Sequence, residues 1–255
     1  MSSGPLTFAR FAWPPNLLGY CGPTGSLLAD ALATASNEPA IAAAPRFEGA
    51  WPYLEVIAAS SGIADPLDRR VVEAYWIGNE LLRRIDPVRL GTDLDDRFRR
   101  RSGPGWERVA ATVGAGAVAH HAFHVFVVYP WAGMLRDGPA QPALEVLELC
   151  SIRVGTVEAV EAERVLASVR PLTWDGTHIG EGDSAHRWFR LGNGGIQTVE
   201  VAIGDRVAVH WDWVCDRLDP LRERRLTRWT EHCRRLAERG LSGAGLAPAP
   251  SRMPG

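Results

Sequence analysis

Three histidines lie within five residues, inside the longest apolar stretch of the chain. His120 and His124 are four residues apart, so on a helix they would share one face and could reach the same metal ion, whereas His121 would point about 100° away. No glutamate of the zinc-protease motif accompanies them, so a hydrolytic site would have no general base here. Cys21, in a Gly-Tyr-Cys-Gly-Pro turn, is a candidate third ligand. The alternative is that these imidazoles only form hydrogen bonds inside an apolar helix and that Cys21 is a small buried residue of a turn.

The remaining reactive groups restrict the chemistry further. All 28 basic residues are Arg, because the chain contains no Lys, and lysine-based catalysis is therefore excluded, since a guanidinium stays protonated. The four cysteines form no CxxC pair, which favours free thiols in a reducing cytoplasm, and the first residues do not resemble a secretory signal. The net charge of −2 gives no sign of a nucleic-acid or membrane partner. The sequence also lacks a phosphate-binding glycine loop, a nucleophile elbow and a dinucleotide fingerprint.

Helical periodicity dominates the first 140 residues. The predicted helices are Ser26–Ala35, Trp51–Ser60, Leu67–Ile77, Glu80–Ile85 and Trp106–Phe126. The apolar stretch Val109–Val128 is about as long as a membrane span, but three histidines inside it would be costly in lipid. We therefore expect a buried core helix there. The charged and then Gly/Pro-rich segment Asp93–Gly105 is expected to be a solvated loop.

The pattern changes after Arg136–Ala143, which we interpret as a linker. Short β-branched runs joined by Gly and Asp turns follow, and they predict a small antiparallel sheet or barrel. The predicted strands are Ser151–Val160, Val165–Val169, Thr198–Val201 and Arg206–Trp213. An amphipathic helix over Leu218–Arg239 begins at Asp219-Pro220. The sequence thus predicts an α+β protein with a mainly helical domain at residues 1–140, a β-barrel with a C-terminal helix at 145–240, and a disordered tail at 241–255.

Two motifs follow one another in the second predicted domain. In Cys150-Ser-Ile-Arg-Val-Gly155-Thr-Val157, a cysteine precedes a glycine by five residues and a β-branched residue by seven. In Gly204-Asp205-Arg-Val-Ala-Val-His210, a Gly-Asp turn leads into an alternating strand that ends in histidine. In this order, and followed by an amphipathic helix, they resemble the HypC/HupF family of nickel–iron hydrogenase maturation chaperones, which are small OB-like barrels with a C-terminal helix. The stretch Asp175–Gly195 is an insertion relative to that family.

The resemblance implies that the Cys150 thiolate and the His210 imidazole hold an iron that carries cyanide and carbonyl ligands. The implied partners are the hydrogenase large-subunit precursor and other maturation factors. A thiolate is a soft ligand suited to low-valent iron, and imidazole also binds iron. Asp212, two residues after His210, would share its face of a strand and could orient the imidazole; its alternative is a surface position at the sheet edge. In the family the cysteine follows the initiator methionine, whereas Cys150 is internal.

The whole chain also resembles an uncharacterised actinobacterial family connected with hydrogenase gene neighbourhoods, through Phe8–Asn16, Leu18–Pro23, Trp51–Tyr53 and His121–His124. The main hypothesis is a non-enzymatic, cytoplasmic metallochaperone with no membrane or nucleic-acid partner. One alternative is a metal- or haem-dependent enzyme of hydrogenase cofactor assembly that uses the His120 and His124 helix. Another is a structural adaptor without a metal.

Overall fold

Helices make up the first part of the protein in this computed structural model, which describes residues 2–88, 90–92, 116–197 and 199–242. The helices whose bounds lie among the described residues before the strands are α1 (Gly4–Leu17), α2 (Leu27–Thr34), α3 (Asn37–Ala43), α4 (Trp51–Ser61), α5 (Arg69–Trp76), α6 (His121–Phe123, continued by a π-helical turn at His124–Val128), α7 (Trp131–Asp137) and α8 (Ala140–Cys150). This part also contains two 3-10 turns, Ala44–Arg46 and Glu80–Arg84. None of the described helices is long and apolar enough to cross a membrane.

Helix α1 is the centre of the helical part. Phe8, Phe11 and Trp13 are almost completely buried. The Phe11 ring stacks on Trp76 of α5 with a centroid distance of 5.3 Å, and Phe8 meets the edge of Phe47 at the same distance. Aromatic contacts of this kind stabilise a core beyond the effect of buried area alone. They fix α1 between α5 and the sheet described below.

Sequence periodicity located several helices correctly and missed others. The predictions at Ser26–Ala35, Trp51–Ser60 and Leu67–Ile77 are confirmed, whereas α1 and α3 were not predicted. The predicted linker at Arg136–Ala143 is wrong, because α7 and α8 are separated only by Gly138 and Pro139. Pro139 precedes the first residue of α8, a boundary position where proline does not interrupt helical hydrogen bonds.

Three predictions fall wholly or partly outside the described residues. The predicted loop Asp93–Gly105 lies wholly outside them, and the predicted helix Trp106–Phe126 and the predicted tail at 241–255 lie partly outside. In the part of Trp106–Phe126 that the structure describes, residues 116–120 are not helical. Helix α6 begins only at His121. The long continuous helix predicted here is therefore wrong for this part of the chain.

A sheet of five strands follows the helices and closes on itself. The strands among the described residues are β1 (Arg153–Val160), β2 (Arg164–Val169), β3 (Leu172–Trp174), β4 (Ile179–Glu181), β5 (Ala185–Arg190), β6 (Gly192–Asn193), β7 (Ile196–Gln197), β8 (Arg206–His210) and β9 (Trp213–Arg217). The closed sheet has the order β1-β2-β5-β9-β8, and β8 pairs with β1. Only β5 and β9 are parallel, through the single pair Arg190 and Trp213. Strand pairs β3-β4 and β6-β7 form two separate hairpins.

The strand predictions were partly wrong. The segment predicted as one strand at Arg206–Trp213 is a hairpin, because Trp211 and Asp212 adopt positive φ angles of 51° and 59° and reverse the chain. Such angles are uncommon for residues with a side chain, so the turn is not apparent from composition. Residues 199–201, predicted as strand, lie outside all strands. Strand β5 lies inside Asp175–Gly195, the stretch that we took for an insertion.

The last helix, α9 (Pro220–Ser242), confirms the prediction at Leu218–Arg239. Asp219 caps its first turn, because its Oδ1 accepts hydrogen bonds from the backbone N–H groups of Leu221 and Arg222 at 2.8 and 2.9 Å. Helix α9 packs against α6, α7 and β1. The larger hydrophobic core accordingly extends from Phe8 to Leu236, whereas Val157, Phe189 and Val214 belong to a second core formed within the sheet.

Candidate functional site

A cavity of about 300 Å³ lies between the helical part and the end of β8. Its walls are mainly apolar and aromatic, which is typical of a pocket for a small ligand. The side chains that could do chemistry there are three histidines and two cysteines, namely His121, His124, His210, Cys21 and Cys150. We call this space the His–Cys cavity.

His210, the last residue of β8, is the most distinctive of these groups. Its ring is buried, and Nδ1 lies 2.9 Å from the backbone oxygen of Phe11. Because a carbonyl only accepts, we assign the ring hydrogen to Nδ1. Burial lowers the pKa of His210 well below its usual value, so the ring is neutral and Nε2 carries a lone pair.

The Nε2 atom of His210 is buried and makes no hydrogen bond to any of the described residues. The backbones of Phe11 and Cys150 act to raise the pKa of His210, against the larger effect of burial. A neutral imidazole with one nitrogen bonded to a backbone carbonyl and the other free is the usual arrangement of a metal-ligating histidine.

Cys150, the last residue of α8, is held next to the end of β8. The backbone N–H of Trp211 donates to the oxygen of Leu149 at 3.0 Å. The pKa of the Cys150 thiol is raised to about 12, mainly by burial and to a smaller extent by the Cys21 thiol, while a hydrogen bond with the Trp211 side chain opposes the shift. Cys150 is therefore a thiol, and it would become a thiolate ligand only if a metal displaced its proton.

His121 fixes the backbone at Cys150. Its Nε2 donates to the Cys150 oxygen at 2.9 Å, and its Nδ1 lies 3.2 Å from the Tyr75 hydroxyl. That hydroxyl also lies 2.9 Å from the oxygen of Gly49. Burial lowers the pKa of His121 to about 4. The ring contacts His210 edge to face at 5.1 Å, so His121 links α5, α6 and α8 around the cavity.

His120 and His124 do not form the predicted pair. His120 precedes α6 with extended backbone, its Nδ1 accepts from the N–H of Ala122 at 3.1 Å, and it is not among the described residues that line the cavity. His124 does line the cavity, and its Nδ1 lies 3.0 Å from the Tyr53 hydroxyl. Burial lowers the pKa of both imidazoles to about 3. The prediction of a shared helical face is wrong, because the helix begins one residue later.

Cys21 lines the cavity, whereas Asp212 does not. The Cys21 loop is held by the Asn16 side chain, which donates to the oxygens of Cys21 and Pro23 at 2.9 and 2.8 Å. Burial raises the pKa of the Cys21 thiol to about 12. Asp212 is exposed in the turn after β8, so the expectation that it shares a strand face with His210 is wrong. The negative charge of Asp212 instead acts to raise the pKa of Arg153, against the larger, lowering effect of burial.

Cys150 and His210, the two residues that the resemblance selects, both line this cavity. Sequence reasoning did not select His121 or its partner Tyr75 as site residues. The signal for His121 was its position within the histidine cluster. Within the part of the chain that the structure describes, no three His, Cys, Asp or Glu side chains are arranged to hold one metal ion.

These features define an α+β protein whose helical part and closed sheet enclose a cavity with histidine and cysteine side chains. Residues 1–243 match a family described as a family of unknown function, DUF6390. The chain belongs to that family. No curated protein and no solved structure matches the chain.

Proposed function

We propose that this protein is an accessory factor of nickel–iron hydrogenase maturation that carries an iron fragment, with its cyanide and carbonyl ligands, as cargo. The observation that supports this most directly is the free, buried Nε2 of neutral His210, in the same cavity as the Cys150 thiol. These are the two residues that the resemblance to HypC/HupF chaperones selects. The closed sheet followed by α9 also supports the proposal, because that family combines a small barrel with a C-terminal helix.

Each cavity residue has a definite part in this proposal. His210 offers Nε2 as a ligand, and the bond from Nδ1 to Phe11 orients the ring and strengthens it as a donor. Cys150 supplies a soft sulfur ligand after losing its proton. The apolar walls keep water from the cargo. Two protein ligands hold the fragment weakly enough for it to be passed on.

The test is anaerobic co-expression of the protein with hydrogenase maturation factors and the large-subunit precursor. Iron content and co-purification of the precursor are measured for the wild type, Cys150→Ala and His210→Ala. Cys233→Ala is the matched control, because Cys233 is also buried but lies on α9 and does not line the cavity. We expect both cavity variants to lose iron and the control to keep it. Iron that survives both cavity substitutions contradicts the proposal.

The alternative of an enzyme that uses His120 and His124 has less support. Of these two histidines, His124 lines the cavity and His120 is not among its described lining residues. It predicts a metal or haem that persists in Cys150→Ala and is lost in His124→Ala. An adaptor without metal predicts precursor binding that none of these substitutions changes.

A further inference from the structure

Glu148 lies in the last turn of α8, two residues before Cys150. Two such positions differ by about 200° around the axis of an α-helix, so their side chains point to opposite sides. Cys150 lines the His–Cys cavity, whereas Glu148 is not among the described residues that line it. The Glu148 side chain is nevertheless only 10% exposed. A buried carboxylate is costly unless other groups bond to it, and the partners of Glu148 therefore indicate its role.

The Glu148 carboxylate binds three strands of the β part. Its Oε1 accepts a hydrogen bond from Nη1 of Arg187 on β5 at 2.5 Å and lies 3.3 Å from Nη1 of Arg153 on β1. Its Oε2 accepts from the backbone N–H of Leu172 on β3 at 2.9 Å. The Arg153 side chain is only 8% exposed, so it needs an opposite charge close by. The carboxylate thus fixes the end of α8 to the strands.

The carbonyl groups of the next two residues fix the same turn to other elements. Carbonyls in the last turn of a helix have no partner within the helix. That of Leu149 accepts from the backbone N–H of Trp211 at 3.0 Å, and that of Cys150 accepts from Nε2 of His121 at 2.9 Å. Trp211 directly follows His210. Three consecutive residues therefore connect the end of α8 to the strands, to the end of β8 and to α6.

We propose that Glu148 is a positioning residue that holds the Cys150 thiol in the cavity it shares with His210. The inference rests on the proposed function only in taking Cys150 and His210 as the two ligands. Glu148→Gln would remove the charge and one of the two acceptor oxygens. Arg153 and Arg187 would then repel each other without a carboxylate between them. We expect the end of α8, and Cys150 with it, to leave its place in the cavity.

The test is the rate at which iodoacetamide alkylates each cysteine of the full-length, metal-free protein, measured by peptide mass spectrometry over a range of pH. The wild-type pKa of Cys150 is raised to about 12, mainly by burial. In Glu148→Gln we expect this pKa to fall and Cys150 to react about tenfold faster or more at pH 8, because a less buried thiol forms more thiolate. Cys215 and Cys233 are the internal controls, since both are buried and neither lines the cavity. Their rates should stay at the wild-type values.

Two arginine variants complete the design. Arg187→Gln serves if Glu148→Gln does not fold, because it removes one donor to Glu148 and keeps the ion pair with Arg153. It should speed up the reaction of Cys150 several-fold. Arg206→Gln is the matched control, because the Arg206 side chain is 40% exposed, against 43% for Arg187, but pairs with Glu223 on α9. It should leave the rate of Cys150 unchanged.

The iron content of the co-expressed protein is the second readout, and it separates this inference from the proposed function. Glu148→Gln should retain much less iron than the wild type although both ligands are present, since groups that orient a metal ligand typically change metal affinity about 10–100-fold. A wild type without iron contradicts the proposed function, and the alkylation rates then decide the role of Glu148 alone.

The positioning role is overturned if the folded Glu148→Gln and Arg187→Gln variants alkylate Cys150 at the wild-type rate. It is also overturned if Cys215 and Cys233 accelerate as much as Cys150, because the substitution then only lowers the overall stability. Full iron content in Glu148→Gln, with an iron-loaded wild type, contradicts it as well.

Discussion

Lowering the pH from 7 to 5 is expected to destabilise the protein strongly, because its buried imidazoles are neutral. Burial lowers the pKa of His120 and His124 to about 3 and that of His121 to about 4, against about 6.5 in an unfolded chain. Below pH 6.5 the unfolded state therefore binds more protons than the folded state, and stability falls as the pH decreases towards the folded pKa values. Each of the three groups contributes a loss of about 2 kcal/mol between pH 7 and pH 5. Their sum, about 6 kcal/mol, is comparable to the total stability of many domains.

Urea unfolding at the two pH values, followed by tryptophan fluorescence, measures this effect. His120→Asn should reduce the pH-dependent loss by about 2 kcal/mol, because asparagine can still cap α6 but does not titrate. His186→Asn is the control, since His186 is exposed on β5 and its removal should leave the loss nearly unchanged. The reasoning is refuted if the wild type is equally stable at pH 7 and pH 5, or if His120→Asn keeps the full pH dependence.

Three further predictions follow from single contacts. Cys150 should react with a thiol reagent at pH 8 much more slowly than a free thiol, because burial raises its pKa to about 12. In urea it should react at the rate of a free thiol. Equal rates in the folded and the unfolded protein would contradict this prediction. Gly78→Ala should lower the free energy of unfolding by about 1–3 kcal/mol, since Gly78 has a φ of 94° and an added Cβ would lie 2.2 Å from the Trp229 ring; an unchanged urea midpoint would refute it. Asp219→Ala should lower the free energy of unfolding by about 1 kcal/mol, because it removes the side-chain acceptor at the start of α9. Thermal unfolding measures this loss, and an unchanged transition temperature would contradict the prediction.

The sequence predicted the α+β class and the order of helices before strands, because amphipathic periodicity is a local property. It could not predict how the sheet closes. That closure depends on β5 meeting β9 through Arg190 and Trp213, a contact between residues distant in sequence. The turn at Trp211 and Asp212 was missed for the same reason: its positive φ angles are stabilised by the surrounding fold.

The candidate site was predicted in part. Cys150 and His210 line one cavity, which the motif spacing anticipated through the family resemblance, although their role as ligands stays a prediction. The prediction that His120 and His124 share one helical face was wrong because α6 begins at His121. A shift of one residue turns a side chain by about 100° around a helix. His121 therefore faces the cavity in place of His120. Helix start positions depend on capping contacts, which periodicity alone does not locate.

The most direct test of the proposed function is the infrared spectrum of the protein purified without oxygen from cells that express the hydrogenase maturation factors. The account predicts bands in the cyanide and carbonyl region that are present in the wild type and in Cys233→Ala and absent from Cys150→Ala and His210→Ala. A wild-type protein that is folded, binds the large-subunit precursor and shows neither these bands nor iron would contradict the account.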